Sequence, residues 1–258
     1  MMRRLLCPLI LALLVAPEPV RAERLVTSLS SHQVSIASNF TGTEVVLFGS
    51  VERDAASVPR RSGYDLVVTV LGPREPVVVR VKGRVLGIWA NVDSREFIDA
   101  PSYIAVAATN PILSFANAET LRRLQVGLSN ISLPQRISGK VANVFGEDPF
   151  RAALIRIKGE RGLYVEEPKG VTFLTPTLFR TSIPLPAEVP VGTYEVDVKL
   201  FADGNMIART TSALEIVKVG FEQFVATAAR DWGVLYGFAT AMMALLTGWF
   251  ASVVFRRD

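Results

Sequence analysis

The run Trp232–Phe255 (WGVLYGFATAMMALLTGWFASVVF) holds 24 residues and no charged side chain. At about 1.5 Å rise per residue, a helix of that length exceeds the roughly 30 Å hydrocarbon core of a bilayer. It is apolar on every face, whereas a helix on the surface of a soluble domain keeps a polar face. Residues 232–255 are therefore expected to form a transmembrane helix, with the lipid bilayer as their partner. Trp232 and Tyr236 stand at one end and Trp249 near the other, as interfacial anchors do. Arg256-Arg257 follow, and positive charge favours the cytoplasmic side, so 256–258 are expected as a cytoplasmic tail.

The other end reads differently. Arg3 and Arg4 precede the apolar run Leu5–Val15, which is too short to span, and Val20-Arg21-Ala22 places small residues at −3 and −1. Residues 1–22 are expected as a signal peptide cleaved before Glu23. An uncleaved N-terminal anchor is the alternative. Cys7 lies at the start of the apolar run rather than after it, which argues against lipoprotein processing. The chain would then be a single-pass protein of a bacterial inner membrane, with a periplasmic ectodomain and a cytoplasmic C-terminus.

Composition narrows the chemistry. Cys7 and His32 are the only cysteine and histidine. A cysteine nucleophile, a thiolate metal site, a His-based triad and a multi-histidine zinc site all lack their residues, and a mature chain would have no disulfide. The net charge is +4, of which Arg3, Arg4, Arg21 and Glu18 supply +2. With the C-terminal tail removed as well, about +1 remains, which is no footprint for nucleic acid.

Between the apolar ends, short runs rich in Val, Ile and aromatics are bounded by Gly, Pro and Asp. They are Gln33–Ser38, Glu44–Val51, Tyr64–Leu71, Val77–Val81, Val85–Ala90 and Tyr103–Ala108, and their spacing points to a β-sandwich. Helical spacing takes over in 111–161. Asn117 starts one helix, and Asp148-Pro149 starts another that carries Phe150, Ala153, Leu154 and Ile157 on one face. Strands resume at Val171–Leu174, Leu178–Ile183, Tyr194–Phe201 and Met206–Val217, with Ala202-Asp203-Gly204-Asn205 as a hairpin turn. The expected fold is mainly β. Two immunoglobulin-like sandwich-type parts, 23–110 and 162–218, would flank a helical connecting region at 111–161. A juxtamembrane segment, 219–231, leads to the span. Within it Phe221, Phe224, Val225 and Ala228 share one face, to lie on headgroups or to form the first turns of the transmembrane helix.

The runs FTGTEVVLFG (40–49), YDLVVTVLGP (64–73), GIWAN (87–91), PSYIAVA (101–107), TLFRTSIPLP (177–186) and VPVGTYEVDV (189–198) occur in that order. Together with the signal and the closing GWF…FRR, this pattern resembles the alphaproteobacterial transmembrane proteins that form a domain family of unknown function. The resemblance covers nearly the whole chain. It implies no activity and no catalytic residue, and its only hint of context is genes near sulfite-exporter-type permeases.

Candidate chemistry is sparse. Asp93, Glu96 and Asp99 could face a Ca²⁺ ion, but no glycine-punctuated calcium loop surrounds them, and a solvated turn is the simpler account. Ser138-Gly139-Lys140 lacks the spacing of a Ser–Lys dyad. His32 and Arg60-Arg61 read as surface loop residues, and Trp89 reads as core before interface anchor. Asn39-Phe40-Thr41 and Asn130-Ile131-Ser132 match a glycosylation sequon, which says little in a bacterial envelope protein. No catalytic, cofactor or metal residue is assigned. The one patterned feature is a stripe of small residues down the span: Gly233, Gly237, Ala241, Ala244, Gly248 and Ser252. In lipid, small residues let helix backbones approach. The stripe therefore predicts docking against a polytopic membrane protein or a second copy. The expected role is a non-enzymatic accessory or interaction protein. A periplasmic ligand-binding sensor or chaperone module, and a hydrolase working through carboxylates alone, are the alternatives.

Overall fold

The computed structural model describes residues 23–52, 63–137, 139–146 and 148–254. The expected signal peptide, Arg60-Arg61, Ser138 and the tail after Val254 lie outside them. The described chain is mainly β, with short helices and a C-terminal apolar helix, as the sequence leads one to expect.

Two sheets face each other across the main core. Sheet A has the order β1 (Arg24–Leu29), β3 (Gly42–Glu52), β12 (Leu178–Pro186), β11 (Val171–Phe173). Sheet B has the order β10 (Tyr164–Glu167), β7 (Ile104–Ala108), β4 (Asp65–Leu71), β13 (Gly192–Ala202), β14 (Asn205–Lys218), β2 (Gln33–Ile36). The two expected sandwich parts turn out to be interleaved. β3 from the first stretch pairs antiparallel with β12 from the second, in the register Leu47↔Thr181. β4 pairs antiparallel with β13, in the register Val68↔Val198. One hydrophobic cluster includes Leu25, Leu47, Val68, Phe179, Ile183, Val198 and Ile216 from both sheets and both stretches.

The period-two patterns explain sheet A. Val45, Leu47 and Val51 of β3 are buried, as are Phe179, Ile183 and Leu185 of β12, while intervening positions such as Phe48 face water. Sheet B is covered on both faces, which is why Leu66–Val70 of β4 and all of β7 are buried without alternation. Its second cover is the helical excursion through α1 (Ile112–Phe115) and α2 (Ala118–Arg123). There Phe115 meets Phe201 with ring centroids 5.3 Å apart, and Leu128 N–H donates to Glu166 Oε2 at 2.7 Å.

Three fully or nearly buried tyrosines donate their hydroxyls to backbone carbonyls, Tyr103 across the two sheets, Tyr164 to the end of β6 and Tyr194 to the loop that leads into β13. Tyr103 donates to the Pro184 carbonyl, Tyr164 to the Pro101 carbonyl at 2.6 Å, and Tyr194 to the Pro190 carbonyl at 2.5 Å. Burial is the largest cause raising each phenol well above its ordinary value of 10.0. The unfolded chain then loses these protons first, so stability is full below about pH 10 and falls as pH rises beyond it. Alkaline titration should show the absorbance of three of the five tyrosines rising together with loss of β circular dichroism. More than two tyrosinates forming while the fold stays intact would mean these phenols are not held neutral by burial.

A third, smaller sheet has the order β5 (Arg74–Val85), β6 (Ile88–Pro101), β8 (Pro134–Ile137), β9 (Lys140–Asn143). With α3 (Pro149–Glu160) it encloses its own cluster of Val79, Phe97, Ala100, Leu133, Phe150 and Leu154. Asp148 caps α3 by accepting from Phe150 N–H at 3.2 Å, and Pro149 occupies the first turn. Arg151 of α3 is buried, and its Nη2 donates to the carbonyls of Leu128, Ser129 and Ile131 at 3.3, 3.0 and 2.7 Å. The guanidinium thus joins this small subdomain to the loop covering sheet B.

Candidate interaction site: a projecting hairpin and an exposed helix

β5 and β6 are not separate strands beside the sandwich. They extend β4 and β7 outward. Leu71 is in register with Ile104, Gly72 N–H donates to the Tyr103 carbonyl at 2.9 Å, and Ser102 N–H donates to the Pro73 carbonyl at 2.8 Å. Arg74 then pairs with Pro101, and the ladder continues to Val85↔Ile88. One long hairpin results, its base inside sheet B and its outer part in the small sheet. β8 meets β6 at Glu96↔Arg136 and Phe97↔Gln135. Beyond that contact the ribbon projects with the two arms paired, among the described residues, only to each other.

The hairpin closes on Leu86-Gly87, with φ of 50° and 88°. Positive φ at both central residues is what a two-residue hairpin turn of type I′ requires. The turn between β13 and β14 has the same form, with Asp203 at 50° and Gly204 at 81°. There an aspartate adopts the left-handed region at modest cost. At the hairpin tip a leucine does so, at roughly 1–2 kcal/mol. Leu86 is also fully exposed, at 101% of its reference surface, so its side chain recovers none of that cost within the described residues. A strained residue presented to solvent is a reason to look for an external contact.

The neighbours of Leu86 share its character. Ile88 and Trp89 are exposed, Trp89 at 70%, and Val85 and Val92 are exposed as well. Residues directly opposite in the ladder lie on one face, so Arg84 stands beside Trp89 and Val85 beside Ile88. From Pro76 to Val92 the ribbon carries Arg80, Lys82 and Arg84 and no acidic residue. Each large apolar side chain, fully buried against a partner, would contribute roughly 1.5–3 kcal/mol. Trp89, expected first as core, is thus corrected to a surface residue. The expected strand Val85–Ala90 in fact contains the turn.

The carboxylates of Asp93, Glu96 and Asp99 are spread along β6 rather than gathered in a loop. Asp93 Oδ1 accepts from Ser94 N–H at 2.7 Å, Glu96 pairs with Arg136 at 2.7 Å, and Asp99 pairs with Arg74 at 3.1 Å. Among the described residues no group of three or more His, Cys, Asp and Glu side chains could hold a metal ion. His32 is exposed in a loop before β2, and Lys140 is exposed at the start of β9. Asn130 turns inward and donates from Nδ2 to the Val126 carbonyl at 2.7 Å, while Asn39 is exposed in a turn.

A buried ionic group was not foreseen from the sequence. Asp197 and Lys199 of β13 are both buried and paired with each other, and Asp197 Oδ1 also accepts from Arg209 Nε at 2.8 Å. Those hydrogen bonds raise the Arg209 guanidinium above its ordinary value. Thr69 lies across from Asp197 and is buried with its hydroxyl unpartnered. Asp197 and Lys199 lie on the same face of β13 as Phe201, which meets Phe115 of the helical cover, and the group reads as a structural clamp.

At the C-terminus, α4 (Phe221–Asp231) ends at Trp232, whose φ of −126° and ψ of 39° break the helix before α5 (Gly233–Val254). The juxtamembrane residues therefore form a helix of their own and not the first turns of the span. α5 has 22 residues, mean hydropathy 1.6 and no buried fraction. Its length is about 33 Å. Of the six stripe residues, Ala244 and Gly248 line a shallow groove together with Thr240, Met243, Thr247 and Ala251. Gly233, Gly237, Ala241 and Ser252 are outside it. The Thr240 and Thr247 hydroxyls donate to the carbonyls of Gly237 and Met243 at 2.9 and 2.8 Å, which keeps the groove free of unpaired donors.

No curated protein matches the chain. A family model described as Putative transmembrane protein (Alph_Pro_TM) matches residues 24–257, which takes in every sheet and both C-terminal helices, and the chain belongs to that family.

Proposed function

We propose that this chain is a non-enzymatic, single-pass accessory protein of the bacterial inner membrane, with its β-rich ectodomain in the periplasm and its C-terminus in the cytoplasm. It works by contact. α5 docks its groove against a polytopic membrane protein or a second copy, and the ectodomain is held at the membrane surface. The observation that carries this reading is a membrane-length helix with none of its residues buried among the described residues and a groove lined by Thr240, Ala244, Thr247, Gly248 and Ala251. Close backbone approach is the main attraction between helices in lipid, and such a surface permits it.

Gly248→Leu tests the reading. A Cβ at Gly248 meets nothing within 4 Å inside the chain, so the substitution leaves the fold alone and fills only the groove. Leucine also raises hydrophobicity, so insertion should continue. Association in a transmembrane reporter, or co-purification from mild detergent, should fall several-fold. Leu246→Phe, outside the groove, serves as the control. A reporter active only outside the cytoplasm, fused after Asp258, should stay silent. Parental association of Gly248→Leu would reduce α5 to an anchor, and an active fusion would reverse the orientation.

A further inference from the structure

The hairpin and the membrane helix leave the sandwich at the same end. Leu71, the last residue of β4, is in register with Glu195 of β13, and Glu195 is in register with Ala213 of β14. Past that level β4 continues into the projecting hairpin, while β14 runs on to Lys218 and hands over to α4 and α5. Only β13 separates the two exits within sheet B, so they stand about 10 Å apart. Residues 72–85 can reach at most about 45 Å beyond the sheet. The intervening helix α4, at about 16 Å, is shorter. A bilayer spanned by α5 therefore lies within the range of the tip.

The tip has the composition that a charged lipid surface favours. Leu86, Ile88 and Trp89 present apolar surface and an amphipathic indole. Arg84 stands opposite Trp89, and Lys82 and Arg80 follow it back along the β5 arm at alternate positions, with no acid between Glu75 and Asp93. A protein contact of ordinary make-up does not call for one-signed charge around an apolar wedge, and an anionic headgroup layer does. The tether formed by α5 also keeps that layer at high effective concentration.

We propose that the β5–β6 hairpin is a second membrane attachment: Leu86, Ile88 and Trp89 enter the interface of the bilayer that α5 spans, and Arg80, Lys82 and Arg84 pair with anionic headgroups. The inference rests on the reading of α5 as the span. Two attachments on one rigid sandwich would fix the tilt of the ectodomain above the membrane instead of letting it swing on α4.

Single-tryptophan forms of the full chain test both points separately. One keeps Trp89 (Trp232→Phe, Trp249→Phe), and the other keeps Trp249 (Trp89→Phe, Trp232→Phe). Each is reconstituted into vesicles of phosphatidylcholine, or of phosphatidylcholine with phosphatidylglycerol, doped with chain-brominated lipid. Trp249 should be quenched in both compositions. Trp89 should shift to the blue and be quenched in the anionic vesicles. Leu86→Asp with Ile88→Asp should abolish that quenching, and both positions are exposed, so folding is spared. Replacing Arg80, Lys82 and Arg84 by Gln should weaken tip binding by about fivefold per cation. If Trp89 remains as accessible to aqueous iodide in anionic vesicles as in detergent, the attachment is overturned. A Trp89 shielded from iodide but not quenched by bromine would overturn it in favour of a protein contact. Failure of Trp249 to be quenched would instead remove the span on which both proposals stand.

Discussion

Asp197→Ala should destabilise the ectodomain by about 3–5 kcal/mol. Lys199 is buried on the same strand, and Asp197 is its partner. Removing the carboxylate leaves an ammonium group out of water with no compensating charge, and that cost exceeds what the pair itself contributes. The companion variants separate the two quantities. Asp197→Ala combined with Lys199→Ala removes both charges and should recover most of the loss, because no unpaired ion remains. Arg209→Ala should cost less than about 1 kcal/mol, since its side chain is half exposed and water replaces the lost contact. For a domain of this size the single variant should lower the thermal midpoint by about 10 °C. Equal midpoints for Asp197→Ala and the double variant would show that burial of Lys199 is not what makes the site costly.

Phe97→Ala should loosen the small sheet and leave the sandwich standing. Phe97 is fully buried in a cluster of six residues drawn from β5, β6, α3 and Leu133, which leads into β8. Truncating a buried phenylalanine costs about 3–5 kcal/mol, the transfer loss plus a cavity. A cluster so small has few neighbours able to collapse into the gap. The sandwich has a separate core that contains none of these residues, so the opening should be local. Hydrogen exchange should speed up across 74–101 and 133–143, with β3, β12 and β13 unchanged. Uniform acceleration over all strands would mean that the two cores unfold as one unit. The consequence for function is direct, because this cluster anchors the base of the projecting hairpin. A loosened base should also reduce membrane quenching of Trp89 without any change at the tip.

Local rules were readable in advance wherever a few neighbouring residues decide the outcome. Asn117 was expected to start a helix, and its side chain accepts from Thr120 N–H at 2.8 Å. Asp148-Pro149 opens α3, and Asp203-Gly204 closes the β13–β14 hairpin. Leu86-Gly87 makes the same turn without the letters of one. Leucine is not a turn residue, and the apolar letters on both sides read as one continuous strand. The absence of acids across 76–92 was the available signal that this ribbon is a surface element.

The sequence by itself determined the membrane-length helix, the mainly β character, the helical excursion and most strand positions. Each of these follows from hydrophobic period, length and capping over a short window. Tertiary structure alone decided that β3 joins β12 and β4 joins β13, so that two β stretches share one core. Alternation marks which face of a strand is apolar, but it does not say which distant strand will cover it. The same limit governed Trp89, Asp197 and Lys199. A tryptophan in an apolar run is core only if something packs over it, and here the ribbon extends beyond the cover that the described residues provide. An aspartate and a lysine two apart look like a solvated edge until a layer closes over their face. Burial is a property of the assembled layers, and no local window contains it.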